Sequence, residues 1–152
     1  MDWREVDTTH CGVSAAADIV GDRWSLLVLR DVFAGVSRFG DLQRHVGLSS
    51  AVLTDRLDRL VDAEVLTRVE YRDDGARGRR EYQLTERGVG LLHVIVSFAE
   101  FGYDELIADE DRLVTYSDRA SGQSVRLALV RDDGTEVSPL DLHMHVNEKA
   151  LP

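Results

Sequence analysis

Three groups of side chains in this sequence could carry chemistry. The first is a lone thiol, Cys11, beside His10. The thiolate is the reactive form, and a neighbouring cation or helix start favours it. A thiolate so favoured at Cys11 could react with an oxidant or electrophile, or pair with its mate across two copies of the chain. The plainer reading makes it a small buried residue packing the first helix. The second group is His143 and His145, which at i and i+2 would share one face of a strand, with Glu148 nearby. Ordinary surface histidines are the plainer reading, and no metal site is assigned. The third group is a set of arginines, with Arg56 and Arg59 in SSAVLTDRLDRL and Arg77, Arg79 and Arg80 in DDGARGRR. Their planar forks suit phosphate oxygens and guanine edges, although solvated surface arginines have the same look. There is no glycine-rich phosphate loop, nucleophile elbow or HExxH, so no catalytic residue and no cofactor is expected.

What must position the arginines is legible from periodicity. Residues 13–20 read as a short helix and 23–34 as a longer one, apolar almost all round and hence central. A third helix runs over 38–46, with Phe39, Leu42 and Val46 on one face, and Gly47 ends it. The clearest helix is 49–63, where Leu53, Leu57, Leu60 and Val61 form one apolar stripe and Ser49 or Ser50 can cap the start. Residues 65–71 and 79–84 then read as a hairpin around DDGARG. A long helix opens at Thr85 and runs through LLHVIVSFAEFGYDELI, and from 113 onward two or three short strands are expected.

Three helices followed by a hairpin with an arginine-rich tip is the order of a winged helix-turn-helix. The expected fold class is α+β, with a long C-terminal dimerisation helix and a short β appendage. A B-form major groove admits one α-helix, and the 49–63 helix is a suitable insert. Its apolar stripe leaves Ser49, Ser50, Ala51, Val52, Asp55, Arg56 and Arg59 near the opposite or N-terminal side, with Arg38 at the start of the preceding helix. Arg77, Arg79 and Arg80 would meet the adjacent minor groove or backbone. Residues 91–101 are apolar on too many sides for a surface helix, which places Leu91, Ile95 and Phe98 in a homodimer interface. The division expected is 1–110 for DNA binding and dimerisation and 111–152 for a β-rich extension.

Composition sets the outer limits. The chain has 152 residues and a net charge of −10, which by itself opposes DNA binding. The charge is uneven, however. Residues 1–37 carry 3 basic and 6 acidic groups, residues 38–87 carry 10 and 10, and residues 88–152 carry 5 and 12. The middle third is neutral, all of its basic groups are arginine, and a neutral module can still present one basic face. No apolar run is long enough for a membrane span and the first ten residues do not read as a signal peptide, so a cytoplasmic location without membrane contact is expected.

The chain resembles the HxlR-type regulators, a MarR-like winged-helix family, from about Cys11 to Glu105. Cys11 with Val13 is similar to the family's N-terminal cysteine segment, and GDRWSLLVLRDVFAG at 21–35 to its glycine-x-x-tryptophan helix. RFGDLQR at 38–44, SSAVLTDRLDRL at 49–60 and RREYQLTERG at 79–88 resemble its next helix, its recognition helix and its wing. The resemblance implies a DNA-binding transcription regulator, with Cys11 as a sensor of oxidants or electrophiles. The mechanism expected is a dimeric repressor on a near-palindromic double-stranded operator, released by a small-molecule effector or through Cys11. The rival from another class is a winged-helix protein-interaction module that no longer reads DNA, which the net acidity and Asp55, Asp58 and Asp62 favour. Three departures stand out. Glycine rather than proline follows Cys11, the wing has GARG where a proline is common, and Glu64 stands where the family commonly has glycine. At a positive φ Glu64 would cost on the order of 1 kcal/mol, or else the helix ends differently. The 112–147 segment distantly resembles a β appendage that in some relatives has a zinc-ribbon look, but its turns at 121–122 and 132–134 carry no cysteine.

Overall fold

A computed structural model of the chain describes residues 3–71 and 79–147. The described residues fall into two compact units, one within 12–95 and the other within 1–11 and 96–152.

The first unit is built on four helices: α1 (Gly12–Val20), α2 (Arg23–Phe33), α3 (Phe39–Val46) and α4 (Ser50–Asp62). Asp22 caps α2, its carboxylate accepting from the N–H groups of Trp24 and Ser25 at 3.0 and 3.1 Å. As its all-round apolarity requires, α2 is central, and Val28 and Leu29 have no exposed surface. It packs on α1, α3 and α4. Asp31 is buried on the same helix, but its charge is matched. Arg30 Nε donates to one carboxylate oxygen at 2.8 Å, and His45 Nδ1 on α3 lies 2.6 Å from the other. Leu42, Leu53, Leu57 and Leu60 complete the core, so the apolar stripe read along α4 is the stripe that is buried.

The wing follows as an antiparallel pair, β1 (Leu66–Tyr71) and β2 (Arg79–Leu84), in register from Leu66 opposite Leu84 to Tyr71 opposite Arg79. Ser37 and Arg38 extend this sheet on its other edge. Arg38 bridges Glu81, and the Tyr82 N–H donates to the Ser37 carbonyl at 2.8 Å. Tyr82 is buried, which roots the wing in the helical core.

The helix expected to start at Thr85 is present, but in two pieces: α5 (Glu86–Gly90) and α6 (Leu92–Glu105). Thr85 caps α5, its hydroxyl accepting from the Gly88 N–H at 3.0 Å. The break falls at Leu91, whose N–H returns to the Gly88 carbonyl at 3.0 Å. Gly88 and Gly90 explain it, because glycine in a helix interior is unfavourable by about 1 kcal/mol relative to alanine.

In the second unit the expected strands shrink to β3 (Leu129–Val130) and β4 (Glu136–Val137), antiparallel, with an isolated bridge between Ser117 and Ser124. The turns were legible, and both Gly122 and Gly134 take positive φ. The strand lengths were not, because a pleat needs a core to pack against. Leu127, Leu129, Val130, Leu140, Leu142 and Met144 are all exposed. Arg112, past the end of α6, is held by Glu100 and Asp104 of that helix at 3.6 and 3.2 Å and lies over its Tyr103 ring.

Candidate nucleic-acid interface

The end of α3, a short turn and α4 make the helix-turn-helix. Gly47 closes α3 at φ 77°, the left-handed conformation that glycine takes without strain. Two residues on, the Ser49 hydroxyl accepts from the Val52 N–H at 3.4 Å and caps α4. Of the two serines proposed as caps, Ser49 has the role. Ser50 accepts instead from the Gln43 side chain at 2.8 Å, which ties the start of α4 to α3. Sequence reading missed Gln43, since nothing local marks a glutamine whose partner lies across a turn.

With Leu53, Leu57 and Leu60 buried, α4 turns Ser50, Ala51, Thr54, Asp55, Arg59 and Asp62 to the surface. Its arginines differ. Arg59 is open, 61% exposed, with its Nε 3.2 Å from Asp55 at i−4. Arg56 is turned back into the domain. Its side chain is 22% exposed, with Nε 3.6 Å from Asp22 Oδ1 at the start of α2. Burial would push the Asp22 carboxyl up, but hydrogen bonds from Ser25, the Arg56 charge and the Trp24 N–H together hold it below its ordinary value. Asp58 is also engaged, paired with Arg68 on β1. Asp55 and Asp58 of this helix therefore meet arginines of the same domain, while Asp62 is exposed. Sequence reading missed Asp22 as well: an aspartate just before a helix is an ordinary cap signal, but nothing local marks it as the partner of a side chain far along the chain.

Of the other residues expected to face nucleic acid, Arg38 is exposed at the start of α3. Arg80 is exposed on β2, opposite Glu70. Arg79 begins β2, and Arg77 lies outside the described residues. An open concavity lined by Val36, Ser37, Arg38, Asp41, Arg44 and His45 flanks the start of α3.

The α4 end settles the question raised by Glu64. Glu64 takes φ 58°, so the helix ends as it would with glycine there. Its N–H donates to the Val61 carbonyl and the Val65 N–H to the Leu60 carbonyl, both at 2.9 Å, which is the Schellman pattern.

Cys11 is partly exposed and immediately precedes α1. Of the residues placed in a dimer contact, Phe98 is 61% exposed, Leu91 is half-buried, and Ile95 sits in the core of its own chain. His143 and His145 are not on a strand. Their rings meet edge-on at 4.6 Å in an irregular stretch, and Glu148 lies outside the described residues. No group of three or more potential metal ligands occurs among the described residues. No helix among them is long and apolar enough to cross a membrane.

Comparison with known proteins places this geometry. A helix-turn-helix transcriptional regulator of Mycobacterium tuberculosis is 43% identical over 94 residues, 62% of this chain and 58% of the relative, so the chain spans less than two thirds of that protein. A second, from Synechocystis, is 34% identical over 102 residues, 66% of this chain and 74% of the relative. Among solved structures, PA1607, described as a proposed transcription factor, superposes with a TM-score of 0.79 at 32% identity over 93% of this chain and 98% of its own. PA1374 of Pseudomonas aeruginosa does so with a TM-score of 0.62 at 28% identity over 92% and 94%. Residues 19–110, from the end of α1 through the helix-turn-helix and wing to α6, match the HxlR-like helix-turn-helix family. The chain belongs to that family.

Proposed function

We propose that this chain is a sequence-specific DNA-binding transcriptional regulator, a homodimeric repressor and not an enzyme. The observation that carries the reading is α4, whose leucine stripe is buried while Ser50, Ala51, Thr54, Asp55 and Arg59 line its open side beside an arginine-bearing wing. Small residues at the helix start let the backbone approach base edges, and Arg59 supplies a fork for guanine or phosphate. Arg38, Arg79 and Arg80 flank it as groups for the DNA backbone. The family's relatives carry the name of transcriptional regulators, which supports the same role here.

Residues 1–110 bind DNA and pair the subunits, and 111–152 form an extension. Phe98 and Phe101 leave α6 exposed at 61% and 62%, and such a face calls for a cover. A second copy would supply it and set two α4 helices about one DNA turn apart on a near-palindromic operator. Release would follow from a small-molecule effector or from modification of Cys11, through a shift between two dimer shapes.

The test is a mobility shift on the DNA upstream of the protein's own gene, at about 50 and about 200 mM salt with random competitor. A complex on one near-palindromic segment that survives competitor supports the proposal. Equal binding to all sequences, or none, favours the protein-interaction module.

A further inference from the structure

Arg56 and Arg59 share α4 and one turn of helix, but their surroundings assign them different work. The Arg56 Nε is buried without a hydrogen-bond partner, 3.6 Å from Asp22 Oδ1, and its Nη1 is 3.7 Å from Asp55. Exposure rises outward along the series, from 22% for Arg56 to 51% for Asp55 and 61% for Arg59. Withdrawing a guanidinium so largely from water is costly unless an anion stays beside it. Asp22 is that anion, and its own place is fixed because it caps α2. Leucines at 53, 57 and 60 set how deeply α4 is seated, but apolar contacts are non-directional and constrain rotation about the helix axis weakly. Charged contacts off the stripe add that constraint, Arg56 with Asp22 of the α2 cap and Asp58 with Arg68 of β1. A small rotation would move every side chain on the open face relative to a base edge.

We infer that Arg56 is a positioning residue, locking the rotation of the recognition helix by pairing with Asp22, and that Arg59 is the α4 arginine that meets DNA. The inference rests on the DNA-binding reading for its specificity consequence, but not for the lock itself.

The experiment compares wild type with Asp22→Asn, Arg56→Met and Arg59→Met. Asparagine caps a helix as well as aspartate does, so Asp22→Asn removes the charge and leaves α2 intact. Binding to operator and random DNA is titrated across a salt series, and amide exchange of α4 is followed without DNA. Arg59→Met should lower the salt slope by about one if it meets phosphate, or relax one operator position if it reads a base. Arg56→Met and Asp22→Asn should leave the slope on random DNA unchanged. Both should weaken operator binding roughly fivefold to tenfold, the lower end of the loss of one base contact. They should also speed α4 exchange several-fold while α2 amides keep their protection. A slope lowered by about one in Arg56→Met would overturn the inference by making Arg56 a phosphate contact, and so would unchanged α4 exchange in both variants. Should the wild type prefer no operator, the regulator reading fails and the exchange result decides the lock alone.

Discussion

Glu64 is a place where one atom group can be removed and the result computed in advance. The residue holds φ 58° at the end of α4, and its N–H and that of Val65 are both bonded back into the helix. A left-handed conformation costs an L-residue about 1–2 kcal/mol because Cβ crowds the following carbonyl. Glu64→Gly removes that crowding, and the extra freedom of glycine in the unfolded chain offsets about 0.5–1 kcal/mol of the gain. The carboxylate is 81% exposed and 3.7 Å from Arg87, an exposed pair that contributes little. The net expectation is a stabilisation of about 0.5–1 kcal/mol, which in a chain of this size raises Tm by about 1–4 °C. Glu64→Ala is the control, because it deletes the carboxylate and keeps Cβ. It should gain no more than a few tenths of a kcal/mol, from removing a negative charge near a helix C-terminus. Urea unfolding of the three proteins, with the m-value held constant, measures both differences. A glycine variant no more stable than the alanine variant would refute the argument that Cβ strain is stored here.

Four further outcomes are expected. A Cβ at Gly88 would lie 2.1 Å from the Val65 carbonyl oxygen, so Gly88→Ala should destabilise by about 1–3 kcal/mol in thermal unfolding, and a neutral result would mean that α5 moves freely off β1. The folded-state pKa of Asp22 is lowered, so its contribution to stability is present above the ordinary value of 3.8 and is lost as pH falls through the lowered one. The stability difference between wild type and Asp22→Asn should therefore hold from neutrality to about pH 4 and shrink below it in acid titrations. Phe98→Asp should give monomer in sedimentation at micromolar concentration, and a wild type that is itself monomeric there sinks the dimer proposal. Cys11→Ser should keep operator affinity and lose the response to diamide; equal responses, or none, make Cys11 structural.

The helical half of the first unit was legible because its signals are local. Gly47 stops α3, serine starts α4, and leucines at 53, 57 and 60 repeat at the helical period, all within a few residues of what they govern. Local signals failed where two of them conflict. The apolar run after Thr85 argues for one helix, but Gly88 and Gly90 weaken it just where Gly88 must approach Val65, and the chain breaks at Leu91. The β-branched and leucine-rich runs after 113 argue for strands, but few pair, because strand formation depends on packing that pattern alone does not describe. For the candidate site, the period placed Ser50, Ala51, Asp55 and Arg59 on the side of α4 that is exposed. It could not separate Arg56 from Arg59, since both leave the same side of the helix and only the position of Asp22 distinguishes them.

The bond from the Tyr82 N–H to the Ser37 carbonyl has a consequence for how the first unit assembles. It joins the segment before α3 to the second wing strand, so it closes a loop that contains α3, α4 and most of the hairpin. Closing a loop of that length has an entropic cost that grows only slowly with its size but must be met before the sheet edge adds any stability. The helices can form early from local contacts, whereas this bridge to the sheet edge forms only when chain segments far apart in sequence have met. The Tyr82 amide should then acquire protection late in refolding, together with burial of its ring. A proteolytic nick in the wing loop would convert that closure into a bimolecular encounter, and the nicked halves would reassociate at a rate set by their concentration.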